Sequence, residues 1–217
     1  MKSYFTLVKN RWQRDRRDIG TLLSTLQYLL AATFIVYLIF RDLSAQMWLS
    51  LYWIIAIFSL INASSTALKS ELKEHHKMLF QLVEPEVLLF SRLSIGLVKN
   101  TILLVVLWGL MSFFFGQVVQ DFWGFSVAIV LAALNFSAIT HLVNAIAYRS
   151  EKSQSLYPVL SLPVIIPVVL ELYNIGAIAV DINPVANDWG SDALILGGLG
   201  LAMCVASLFL FPYLWTD

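Results

Sequence analysis

LKSELKEHHKMLFQLVEPEVLLFSR, residues 68–92, is the longest charged stretch between two hydrophobic runs of this chain. Leu68, Leu72, Leu79, Phe80 and Val83 recur in it at helical spacing, with His76 on the same side. Lys69, Glu71, Lys73, Glu74 and Lys77 fall mostly on the other side, so the spacing predicts a short amphipathic helix. Pro85 cannot continue that helix but fits the first turn of a new one. Glu84 and Glu86 beside it would sit favourably at the positive end of the new helix.

Outward from this segment the chain turns apolar. Of its 217 residues 59% are hydrophobic and 13% charged, with a mean hydropathy of +0.77. A soluble domain is nearer half apolar and a quarter charged, so the composition argues against a water-soluble fold. The charges cluster and leave six apolar runs of about the 20 residues that a helix needs to cross a bilayer. These runs are roughly 22–40, 47–67, 89–115, 125–147, 155–172 and 191–214. Alternation of the outer-membrane-barrel kind is absent, so the expected fold is all-α: a polytopic membrane protein with six transmembrane helices, one permease-like domain over 1–217. The run from Leu22 to Phe40 is longer than a typical signal core and ends at Arg41-Asp42 with no small-residue cleavage pattern, so no cleavable signal is expected. Zero net charge gives no global field for nucleic acid, which is not expected as a partner. Cys204, the single cysteine, reads as a small buried hydrophobe.

Residues 1–20 begin with a second amphipathic pattern. Phe5, Val8 and Trp12 line one face at helical spacing, while Lys9, Arg11, Arg14, Arg16 and Arg17 crowd elsewhere. This describes a basic helix lying in the headgroup region, its Trp suited to the interface; the alternative is a flexible basic tail. Of the 14 lysines and arginines, only Arg41 falls on the opposite side of the membrane in a six-span arrangement. The positive-inside bias therefore expects both termini and the 68–92 segment in the cytosol.

Two spans stand out. The fifth contains Pro158, Pro163 and Pro167, each removing a helix hydrogen bond, so it reads as bent, broken or partly re-entrant. The following stretch, 173–190, is too apolar for a plain loop and reads either as short helices dipping into the outer leaflet or as an ordered outer-face loop. The fourth span carries Asn135, Ser137, Thr140, His141 and Asn144 in apolar surroundings, the last four on one helical face. Such groups face the bundle or a cavity. They line a polar path, or hold helices together by hydrogen bonds, or, through His141, ligate a haem iron; Glu171 near the outer end of span five joins such a path or simply reaches the interface. Gly198, Ala202 and Ala206 give the sixth span a small-residue stripe that permits close helix contact.

Phosphate-loop, nucleophile-elbow and paired-cysteine or zinc motifs are missing, so neither catalysis, ATP binding nor a metal site of its own is expected. Energy for any work would arrive through a partner.

A basic amphipathic start, six spans, a cytosolic amphipathic segment after span two and an interrupted stretch before span six resemble an ABC-2-like (type V) transporter permease. More narrowly, the chain resembles the heme exporter protein B (CcmB) family of bacterial cytochrome c maturation over essentially its whole length. The segments that carry this are 68–92, with Glu71, Leu82 and Pro85, and NAIAYRSEKSQSLYPVLSLPVIIPVVL, residues 144–170. In the latter, Leu162-Pro163 followed by Ile166-Pro167 is similar to the family's Leu-Pro…Ile-Pro signature. His75-His76 departs from the family, whose members often carry small or acidic residues there. The resemblance implies a non-catalytic permease of the cell inner membrane working with a separate ATP-binding subunit, a second copy of itself, a haem-handling membrane subunit and a haem chaperone. ATP would bind the partner, and haem belongs to the complex, with no cofactor bound directly. Leu72, His76, Leu79, Phe80, Val83 and Glu84 would then form the contact with the ATPase. A permease of the same architecture for a drug, lipid or polysaccharide is the alternative, and a haem-binding membrane protein using His141 a further one.

Overall fold

Each apolar run that the sequence marks becomes a helix, and the ends of those helices follow local chemistry. The computed structural model describes residues 19–73, 85–147, 153–182 and 188–213. Six helices make up these residues: α1 (Ile19–Ile39), α2 (Ala45–Lys73), α3 (Pro85–Phe115), α4 (Phe122–Ala147), α5 (Ser153–Ala179) and α6 (Gly190–Tyr213). Five are long and apolar enough to cross a membrane, and the apolar part of α1, Leu23–Ile39, is shorter.

Ser44 caps α2, its Oγ accepting from the Met47 amide at 3.3 Å. Pro85 opens α3 as its fixed φ and missing N–H favour. Gly116, at φ 80°, follows the last residue of α3 in the left-handed conformation that a residue without Cβ adopts at least cost. Asp121 caps α4, with Oδ1 accepting from the amides of Trp123 at 3.0 Å and Gly124 at 3.1 Å. At the end of α5, the Ile182 amide donates to Ala177 and the Asp181 amide to Ile178, a Schellman pair of bonds. Asp181 supplies the left-handed residue, at φ 58°.

Three expectations need correction. The helix of the fifth span is not broken at its prolines: α5 is assigned continuously through Pro158, Pro163 and Pro167. In a bilayer, leaving the helix would strip hydrogen bonds from many more backbone groups than three prolines remove, so helix wins. Nor does that span end near Leu172. Tyr173–Ala179 continues α5, so the first part of the 173–190 stretch is neither loop nor separate dipping helix. Likewise, Leu68–Lys73 is not the start of a separate amphipathic helix but the last turns of α2.

α4 is the axis of the bundle. It packs against α3, α5 and α6 along most of its length, and 61% of its membrane-length window is buried against 22% for α3 and α6. Ala128, Ala132, Ala133 and Ala138 are fully buried along it, and small side chains of this kind let neighbouring backbones approach. At the Asp121 end an aromatic cluster fills the space among α2, α3 and α4. Phe125 is its hub, with ring centroids 5.1 Å from Tyr52, 5.2 Å from Trp108, 5.9 Å from Trp48 and 6.4 Å from Trp53. Tyr52 adds a direct tie, its hydroxyl donating to the Leu104 carbonyl of α3 at 3.1 Å. Gly176 of α5 closes the cluster from the side, since a Cβ there would lie 2.6 Å from Leu49 Cδ1 and 3.2 Å from Trp53 Nε1. The outward surfaces of α1, α3 and α6 expose Leu, Ile, Val and Phe side chains, as surfaces in contact with lipid do.

Removing the hub should be costly. Phe125→Ala is expected to destabilise the bundle by about 3 kcal/mol, read from unfolding of the detergent-solubilised protein in a mixed-detergent titration.

Candidate functional site

Polar groups of α4 reach three neighbouring helices at three levels. Nearest mid-helix, fully buried Asn135 donates through Nδ2 to the Leu131 carbonyl at 2.9 Å and to the Leu196 carbonyl of α6 at 3.1 Å. Its Oδ1 is shielded and accepts no hydrogen bond from the described residues. Gly200 of α6 makes this approach possible, because a Cβ there would fall 3.3 Å from Nδ2. Two residues on, Ser137 Oγ donates to the Leu93 carbonyl of α3 at 3.0 Å. Thr140 donates to the Phe136 carbonyl and pairs with Ser64 of α2 at 2.9 Å. His141 sits beside Gly96 of α3: Nε2 would lie 3.9 Å from a Cβ there, and Ser137 Oγ 2.5 Å. The α3–α4 seam is thus closed only because residue 96 has no side chain.

These bonds bring the polar residues of the fourth span to three different partners. Asn135 turns to α6, Ser137 and His141 to α3, Thr140 to α2. Glu171 stands apart on α5, half-buried, with Oε2 shielded and without a hydrogen-bond partner among the described residues. Asn144 belongs to α4, Leu72 to α2 and Pro158 to α5, and their side chains lie outside the described set. Phe5, Val8, Trp12, His76, Leu79, Phe80, Val83 and Glu84 lie outside the described residues altogether. Among the described residues, no group of three or more His, Cys, Asp or Glu could hold a metal ion.

Sequence reasoning missed the joint at the Asp121 end. Besides capping α4, Asp121 accepts from Trp189 Nε1 through Oδ2 at 3.2 Å, fixing the approach to α6. The amides of Gln120 and Asp121 both donate to the Ala179 carbonyl at 2.9 Å, fixing the end of α5. One short connection therefore joins three helix ends. Gly124 leaves room for it, as a Cβ there would meet Asp121 Oδ2 at 2.6 Å and Trp189 Nε1 at 3.1 Å. The signal in the sequence is an Asp two residues before a Trp-Gly pair, a capping pattern that says nothing of Trp189. The aromatic cluster was missed as well. Its indole N–H groups at Trp48, Trp53 and Trp108 are shielded without partners among the described residues, which costs about 1–3 kcal/mol each. Ring packing and burial of these large side chains offset that cost.

At the other end, α2 does not stop where its apolar window does. The window closes at Ser64, and the same helix continues to Lys73. From the opposite strand of the connection, α3 begins at Pro85, ahead of its apolar window at Phe90. Both arms of the amphipathic segment are thus helical extensions of membrane helices that meet the core.

Residues 45–214 match the family described as CcmB protein. The chain belongs to that family. The match begins with the first residue of α2 and runs past the end of α6, so it covers the aromatic cluster, the polar levels of α4 and both arms of the amphipathic segment. No curated protein and no solved structure matches the chain. Membership, together with five apolar helices of spanning length, makes this a multi-pass membrane protein of the heme exporter protein B family, whose members are permease subunits.

The seam at Gly96 can be tested against a hydrogen-bond explanation. Ser137→Ala removes one interhelical bond and should cost about 0.6–1 kcal/mol in a mixed-detergent unfolding titration. Gly96→Val forces α3 and α4 apart and should cost more. Equal costs would show that close approach does not hold the seam.

Proposed function

We propose that this chain is the transmembrane permease subunit of an ABC-type complex for cytochrome c maturation. In this reading it couples ATP hydrolysis in a separate subunit to haem export or to release of a haem-loaded chaperone. The chain forms one permease domain over 1–217, pairs with a second copy, and works beside a haem-handling membrane subunit and the chaperone. ATP binds the partner, and haem belongs to the complex. Both termini and the 68–92 segment lie in the cytosol of a cell with this inner membrane, as the distribution of lysine and arginine supports.

The observation that carries this reading is the uninterrupted run of α2 from the aromatic cluster to Lys73. Beyond Ser64 it projects about 14 Å as helix. A helix transmits displacement along its axis in a way that a loop cannot. Push on the amphipathic segment and the force enters α2 and α3, the helices that hold Tyr52, Trp53 and Leu104 against Phe125. The apolar residues Leu72, Leu79, Phe80 and Val83 supply a face for a groove on the ATPase, with His76 and Glu84 at its margin, the way amphipathic helices commonly dock. The fifth helix, rich in proline and in contact with α2, α4 and α6, is placed to pass the shift across the bundle.

A pull-down of the ATP-binding subunit tests this. Leu79→Asp and Phe80→Asp together should weaken capture at least about tenfold at equal membrane levels of the permease, the loss typical of a buried apolar anchor. Undiminished capture and undiminished cytochrome c assembly would remove the proposed contact.

A further inference from the structure

Two cations lie inside the apolar length of α3. Arg92 and Lys99 fall within the Phe90–Phe115 window, seven residues and so two turns apart, with Gly96 between them on the same face. His141 of α4 is packed beside Gly96, and Ser137 Oγ lies next to it. Arg92, Lys99 and His141 are each half-buried. The seam between α3 and α4 at the Pro85 end is therefore lined by a guanidinium, an amine, an imidazole and a hydroxyl. Glu86 is the one acidic residue in the two helices, and it lies about 120° round α3 from Arg92.

Length fixes the depth of this group. A window of 26 residues is about 39 Å long, against about 30 Å of hydrocarbon, so the first turns of the window stand at the headgroup level. Side chains on a helix lean toward its N-terminus, which for α3 is the Pro85 end. A lysine at 99 leaning that way runs back toward Gly96 and Arg92, and snorkelling brings its ammonium nearer their level. Each of the three residues makes a contact of its own within the protein. A guanidinium with five donors and an ammonium with three retain capacity for more.

We infer that this seam binds the phosphate of an anionic phospholipid from the leaflet at the Pro85 end. Ile102, three residues on from Lys99 and about 60° round the helix, is exposed and gives acyl chains an apolar surface beside the cations. Arg92 offers a planar fork to the phosphate oxygens and Lys99 a point charge, the arrangement by which basic pockets between membrane helices take lipid headgroups.

The test uses the full chain reconstituted in vesicles of phosphatidylcholine with phosphatidylglycerol, then extracted in mild detergent for native mass spectrometry. The wild-type chain should retain phosphatidylglycerol in preference to phosphatidylcholine. Lys99→Gln and Arg92→Gln should each lower that preference about fivefold. Lys99→Arg should keep it, and so should Arg41→Gln, which removes an exposed cation at the opposite end of the bundle. Absence of preference in the wild-type chain, or equal preference in Lys99→Gln and Lys99→Arg, overturns the assignment. If Arg92→Gln fails to fold, the two Lys99 variants still decide the question.

Discussion

Helices in lipid gain nothing by hiding apolar surface from one another, because the acyl chains are as apolar as leucine. What keeps this bundle together is close packing along α4 and a few bonds from its polar side chains to neighbouring backbones. Asn135 to the Leu196 carbonyl and Ser137 to the Leu93 carbonyl are the instances that cross to α6 and α3. Each works only where the facing helix presents a glycine, at 200 and at 96. Alanines complete α4, and the bulky side chains are pushed to its Asp121 end, where Phe125 gathers four other rings.

That division gives the molecule two mechanically different halves. The Asp121 end is locked by side-chain volume and by an aspartate that serves three helices. Toward the Pro85 end the described joints are hydroxyls and small residues, and α2 and α3 run on there into the charged segment.

Much of this was legible in the chain. Spans are marked by the absence of charge, and the start of α3 by Pro85, because proline tolerates few positions in a helix. The polar face of α4 could be read from Ser137, Thr140 and His141, though not which helix each would meet, as spacing within one helix carries no information on its neighbours. Where reading failed, local preference was overruled by the solvent. Pro158, Pro163 and Pro167 would end a helix in water, but a bilayer offers their neighbours no water to turn to. For the same reason Tyr173–Ala179, which Asn174 and Gly176 interrupt, stays helical. The charged residues after Ala67 resemble a new surface helix, yet nothing in Leu68–Lys73 breaks α2, and the helix simply runs on. Trp189 and its bond to Asp121 had no sequence signal, because the two are 68 residues apart.

The turn between α3 and α4 hangs from the terminal carbonyl of α5 by two amides. A connection of this length, Gly116 to Asp121, would ordinarily invite an epitope tag or a reporter domain. Here any inserted sequence would pull Gln120 and Asp121 off Ala179 and uncap two helices at once. Labelling of this face is better directed elsewhere, and natural relatives are expected to keep the turn's length even where they change its letters.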